Sequence, residues 1–157
     1  MKLVPFIEGH VEVAEPTPVG PVPTGFRLIV DILGGTFTGA QLEGTILRSG
    51  ADWALITADG MSRLDLRFTL LTKEGVPIYV QLSGLLEVNA AVQSRAGSPT
   101  EYGQTYFMSQ VRFECAAGSP YAWLNGRLAV GEGRLGPVAY RNASAAWLEF
   151  RWFLLEN

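Results

Sequence analysis

Residues 50–60, GADWALITADG, set an acid directly against a tryptophan, between a glycine-led turn and an Asp-Gly turn. On a strand, successive side chains point to opposite faces, so Asp52 and Trp53 divide between two surfaces. Asp52 either accepts backbone N–H bonds at the Gly50–Ala51 turn or is a carboxylate held in a dry interior. In the second case burial raises its pKa and suits it to proton transfer near neutral pH. Arg67, if inward, is a cation that must meet an anion: Asp65, Asp52, Glu114, or a ligand carboxylate or enolate. If outward it has no special meaning. Glu114, between Phe113 and Cys115, is the second carboxylate, and Tyr106 offers a hydroxyl to a ligand oxygen. Asp52, Arg67, Glu114 and Tyr106 are therefore the candidate catalytic set. Trp53, Tyr79, Phe107, Tyr121, Trp123 and Asn125 are the candidate substrate contacts. Trp53 is a stacking platform or plain packing, and Asn125 orients a carbonyl or satisfies a strand end.

Other chemistries find little support. The chain of 157 residues has one Cys and one His, which allows no internal disulfide and no His/Cys zinc site within one chain. His10 lies in a strand-like segment with no nucleophile motif nearby. There is no dinucleotide fingerprint and no phosphate loop, so no cofactor is expected. A net charge of −3 argues against nucleic acid, whose phosphates usually leave a basic footprint on a partner. Cys115 reads as a small core residue. Pro5 and Glu8 break the opening apolar run, which predicts no secretory signal. No stretch approaches the ~18 apolar residues of a spanning helix. The expectation is a soluble, cytoplasmic protein, in which the sequon Asn142-Ala143-Ser144 is chance.

The elements that must position these residues are strands. Two-residue alternation recurs, cut every ten residues or so by Gly, Pro or Asp-Gly turns, as in an all-β sandwich or barrel. Strands are expected near 3–14, 25–33, 40–48, 52–58, 61–72, 76–86, 104–116, 121–130 and 146–155, with a short one at 136–141. Asp59-Gly60 and Glu74-Gly75 are two-residue hairpin turns; Gly34-Gly35 and Gly131 to Gly133 read as looser breaks. The proline-rich 15–25 is a connection or an edge cover. Residues 87–103 form a long loop, either a lid over a barrel mouth or a disordered segment. The spacing predicts one all-β domain over 1–157, a closed antiparallel β-barrel of about 8–10 strands around a central cavity, calycin-like or allene-oxide-cyclase-like. Closure is favoured because it removes exposed edges.

Four stretches, GGTFTGAQLEG (34–44), GADWALITADG (50–60), LDLRFTLLTKEGVPIYV (64–80) and YFMSQVRFECAAGSPYAWLNGRLAVGEG (106–133), together resemble the family catalogued as domain of unknown function 3237. The resemblance spans most of the chain after residue 25 and implies a closed antiparallel barrel. The family as a whole carries no agreed activity. This sequence departs from the family pattern at Lys73-Glu74-Gly75, where relatives tend to have a second Asp-Gly turn. It also has Met108 where relatives often carry Arg, which implies a less anionic substrate. The last strand, AAWLEFRWFLLE (145–156), is unusually aromatic.

Several strands have one apolar and one mixed face. Leu64, Leu66, Phe68 and Leu70 oppose Arg63, Asp65, Arg67 and Thr69. Phe107, Val111, Phe113 and Cys115 oppose Tyr106, Met108, Gln110, Arg112 and Glu114. Apolar faces turned inward bury their side chains, each worth about 1.5–3 kcal/mol. Mixed faces turned inward give a polar, aromatic-lined lumen and leave apolar walls for a second subunit to cover. The resemblance favours the polar lumen, because its motif residues Arg67, Tyr106 and Asn125 lie on mixed faces.

Two functions follow. One is a cofactor-independent isomerase, cyclase or lyase acting on a conjugated carbonyl in an aromatic or polyketide-like molecule. A carboxylate would shuttle the proton while Arg67 and a tyrosine hold the developing oxygen charge. The other is a non-catalytic barrel that binds a small apolar or aromatic ligand. A homodimer is expected, with no membrane or nucleic-acid partner.

Overall fold

The computed structural model describes residues 1–88, 98–136 and 146–157. Among these residues the strands are β1 (Lys2–Val13), β2 (Thr17–Val22), β3 (Gly25–Gly39), β4 (Gly44–Ile46), β5 (Ala51–Asp52), β6 (Leu55–Ile56), β7 (Met61–Thr72), β8 (Pro77–Glu87), β9 (Phe107–Glu114), β10 (Leu128–Leu135) and β11 (Ala146–Glu156). A single 3-10 turn, Ala122–Gly126, precedes β10. Neighbours run β1-β11-β10-β9-β8-β7-β4-β3, all antiparallel, and β1 also pairs with β3. The sheet thus closes into the expected all-β barrel, with eight staves. β4, β5 and β6 are successive pieces of one stave between β3 and β7.

The hairpin turns fall where the sequence places them, with Gly60 and Gly75 at φ 79° and 82°. Each loop has one residue more than the two expected, since Thr57 N–H donates to the Met61 carbonyl and Thr72 N–H to the Val76 carbonyl. Other boundaries move. The strand expected at 52–58 is two short pieces, and 40–48 shrinks to Gly44–Ile46. The segment 121–130 begins as the 3-10 turn rather than as strand. The proline-rich segment supplies β2, which among the described residues pairs with β3 alone. There its prolines leave no ladder donor missing from the sheet interior. Beyond Gly136 the strand expected at 136–141, like the sequon at 142–144 and residues 89–97 of the suggested lid, lies outside the described residues.

Two glycine pairs expected as breaks sit inside strands. β3 runs unbroken through Gly34-Gly35 because β1 crosses closely there. A Cβ on Gly35 would lie 2.1 Å from the His10 carbonyl oxygen. In β10 the space a side chain would fill is occupied by rings: Cβ positions on Gly131 and Gly133 would lie 2.4 Å from Trp152 and 2.5 Å from Phe107. These glycines admit large neighbours rather than reverse the chain.

The structure also settles the faces, against the polar lumen. On β7, Leu64, Leu66, Phe68 and Leu70 are buried while Arg63 and Arg67 are exposed; on β9, Phe107, Val111 and Phe113 are buried while Tyr106, Met108 and Glu114 are exposed. The apolar gain of about 1.5–3 kcal/mol per large side chain would be forfeited by the other orientation, and Arg67 would be buried at further cost. At one end the barrel is solid. Phe6 meets Phe113 and Trp123 edge-on at 5.5 and 6.0 Å, and Leu124 of the 3-10 turn is fully buried beneath them. Tyr121 ties this plug to the β7–β8 turn, donating from its hydroxyl to Glu74 Oε2 at 2.9 Å. The other end is hollow.

Candidate functional site

The hollow end holds a cavity of about 300 Å³. Its wall is built from inward positions of most staves: Val11 of β1, Val30 and Ile32 of β3, Leu66 of β7, Leu82 of β8 and Phe107 of β9, with Trp152 of β11 toward its floor. Trp152 is stacked on Phe150 at 4.1 Å and tilted against Phe68 at 6.2 Å. Thr100 closes one corner of the mouth: its N–H donates to the Leu135 carbonyl at 2.8 Å, and Leu135 N–H donates to its hydroxyl at 2.9 Å. The chain after it turns along the outer wall, where Arg151 lies 3.9 Å from the Tyr102 ring.

Into this apolar space projects Asp52. Its position is set by register, since Asp52 lies opposite Val30 on β3 and Leu66 on β7, both inward. It is fixed by an unusual ladder contact. Trp53 N–H donates to the Asp65 carbonyl at 3.1 Å in the ordinary way. The return bond from Asp65 N–H goes to the Asp52 side chain, at 3.0 Å to Oδ1. The carboxyl thus takes the place of a backbone acceptor where β5 ends, and the stave resumes after a break at Leu55. Burial pushes its pKa up from 3.8 to about 6, opposed by the Asp65 hydrogen bond and by the Arg27 charge, with the Asp65 charge adding to the rise. A carboxyl so placed exchanges protons near neutral pH.

Asp52 and Trp53 do face opposite ways. Trp53 stands outside, with the Arg67 guanidinium 5.7 Å from its ring centre and its carbonyl accepting from Arg27 Nη1. Of the other sequence candidates, Phe107 alone joins Asp52 on the cavity wall. Arg67 is on the outer face, 3.4 Å from Asp65. Glu114 and Tyr79 are exposed partners on the outside of β9 and β8, and Tyr106 is 51% exposed. Tyr121, Trp123 and Asn125 belong to the plug. There the Asn125 amide pairs with the Cys115 backbone, accepting from its N–H at 2.8 Å and donating to its carbonyl at 3.0 Å. Asn125 therefore satisfies a strand end, the second of its two expected roles.

Sequence reasoning missed the hydroxyls on the cavity wall, Ser62, Ser98, Thr100 and Ser109. Ser62 and Ser109 each interrupt an apolar run, Ser62-Leu64-Leu66-Phe68-Leu70 and Phe107-Ser109-Val111-Phe113, and that interruption was the available signal. Ser109 and Trp152 flank Gly131 in one row across β9, β10 and β11. The indole N–H of Trp152 is buried without a hydrogen-bond partner, a state that costs about 1–3 kcal/mol. Glu132 also borders the space, but its strand position faces outward and its carboxylate lies 3.7 Å from Arg151 Nη1. Among the described residues no Lys or Arg lines the cavity and no cluster of three His, Cys, Asp or Glu could hold a metal ion.

A family model described as a protein of unknown function, DUF3237, matches residues 1–144. The chain is 31% identical over 122 residues to a UPF0311 protein of Rhodopseudomonas palustris, spanning 76% of this chain and 78% of the relative. Among solved structures it resembles a beta-barrel-like protein of Acinetobacter baumannii, with a TM-score of 0.75 at 31% identity over 98% of this chain and 96% of that one. An enzyme of Penicillium herquei shares the fold, with a TM-score of 0.66 at 18% identity, covering 97% and 93% of the two chains.

Proposed function

The chain belongs to the DUF3237 family of proteins of unknown function, and we propose that its barrel is a cofactor-independent enzyme moving a proton on a small, mostly apolar molecule. Asp52 is the general acid–base. The observation that carries this reading is one carboxyl with a pKa of about 6 on the wall of an apolar cavity of about 300 Å³. A carboxylate there removes a proton from carbon next to a carbonyl and returns it elsewhere on the same molecule in isomerisation or cyclisation, or to the departing group in elimination. The oxygen that gains charge needs donors in the same dry space. Arg67 and Tyr106 are outside, so this part of the expected mechanism passes to the unpartnered N–H of Trp152 and to the Ser109 hydroxyl, which would exchange its 3.4 Å bond to the Gly131 carbonyl for the ligand. That the barrel of Penicillium herquei is an enzyme is an analogy of fold and supports only the capacity of such a barrel for chemistry.

The test is solvent deuterium exchange at the carbon acid of β-tetralone, followed by proton NMR, with binding checked separately by quenching of tryptophan fluorescence. The wild type should accelerate exchange about a hundredfold or more over buffer, the usual minimum for a positioned base. The rate should rise with pH and reach half its plateau at about 6, where Asp52 ionises. Asp52→Asn should fall to the buffer rate while still binding the ketone. Bound ketone with exchange at the buffer rate in the wild type would overturn the enzyme reading. It would favour the binding barrel, for which the otherwise apolar lining is the supporting observation.

A further inference from the structure

The charge pattern of the cavity narrows what it can hold. Asp52 Oδ1 accepts one bond, from Asp65 N–H, and among the described residues no group donates to Oδ2. Among the described residues no cation on the wall could receive a carboxylate or phosphate. An anionic ligand would bring a second negative charge beside Asp52 in a low-dielectric space, where like charges repel strongly. An ammonium ligand would neutralise Asp52, but burying two charges to make one ion pair comes close to breaking even. A neutral hydroxyl avoids that second desolvation and gives a charge-assisted hydrogen bond, roughly twice as strong as a neutral one.

We infer that the ligand is an uncharged, largely apolar ring molecule presenting one hydroxyl, enolic or phenolic, to the free oxygen of Asp52, and that carboxylates are rejected. This rests on the cavity being the functional site, as proposed above. It goes further in assigning Asp52 a second task, as the group that selects the ligand. Met108, from which the sequence resemblance implied a less anionic substrate, lies on the outer wall opposite Leu85 and takes no part in that selection.

The test uses four matched probes, naphthalene, β-naphthol, β-naphthoate and β-naphthylmethylammonium, with dissociation constants measured by calorimetry at pH 8. β-Naphthol should bind at least tenfold more tightly than naphthalene, as a charge-assisted hydrogen bond allows, and at least tenfold more tightly than β-naphthoate. In Asp52→Leu the naphthol-to-naphthalene ratio should fall toward one with naphthalene binding retained, which shows the cavity intact. If that variant does not fold, Asp52→Asn should still reduce the ratio several-fold, because a neutral acceptor replaces a charged one. Naphthoate binding as tightly as naphthol, the ammonium binding more tightly than either, or a ratio insensitive to Asp52 overturns the inference. These outcomes are separable from catalysis. An intact naphthol preference without deuterium exchange removes the enzyme and keeps the ligand class, whereas exchange with no such preference does the reverse.

Discussion

Replacing Asp52 by Asn should make the protein more stable at neutral pH. The folded carboxyl titrates at about 6 rather than 3.8, so between those values the folded chain holds a proton that the unfolded chain has released. Stability therefore falls as pH rises from about 4 to about 7 and is flat above, since raising the pH lowers stability wherever the native state binds more protons than the unfolded one. At about 1.4 kcal/mol per pH unit, the gap amounts to about 3 kcal/mol of destabilisation at pH 8. Asn keeps the acceptor for Asp65 N–H and carries no charge to bury, so most of that loss should be recovered, about 2–3 kcal/mol. Urea unfolding at pH 4 and pH 8 checks it: the variant should exceed the wild type at pH 8, and the difference should close toward zero at pH 4. A variant no more stable at pH 8, or a gap of equal size at both pH values, would refute the claim that an ionised carboxyl is held in an apolar wall. A residue kept at that cost is characteristic of an active site.

Other perturbations separate wall from cavity. Arg67→Ala and Glu114→Gln, both on the outer face, should leave probe affinity and deuterium exchange within about twofold of wild type and stability within about 0.5 kcal/mol; a larger loss would return them to the site. Leu82→Phe should fill part of the cavity and weaken naphthalene binding at least tenfold, with the circular dichroism spectrum unchanged. Asn125→Ala exposes the Cys115 N–H and carbonyl to water in place of their partner and should cost about 0.5–1.5 kcal/mol in urea unfolding, without altering the probe ranking. The expected homodimer should scatter light as about twice 17.0 kDa; that mass itself at micromolar concentration removes it.

The fold was legible because alternation and turn residues report directly on strands, and Gly60 and Gly75 take the expected positive φ. The glycines at 34–35 and 131–133 misled for a physical reason. A glycine that reverses the chain and one that makes room for a neighbouring ring look alike in sequence, and only packing separates them. In the site, Asp52 and Phe107 were readable from type and alternation. Arg67, Glu114 and Tyr106 were not, because a face of mixed polarity is what both a wet exterior and a polar lumen produce. The strand-borne cavity serines, Ser62 and Ser109, were hidden by their smallness. They become visible only once the apolar face is known to be inside and a lone hydroxyl on it needs a reason.

The bond from Asp65 N–H to Asp52 has a consequence for how such barrels diverge. The carboxyl is part of the wall, standing in for a backbone acceptor where the stave breaks. An amide at the same position preserves that bond while deleting the titrating group. A proton-transferring barrel and a mere carrier could therefore share every strand, register and cavity contact and differ by a single side-chain atom. Descent from one to the other would need no rebuilding of the fold. Within such a lineage the identity of the residue opposite Val30 and Leu66 would be a sharper marker of catalysis than overall similarity.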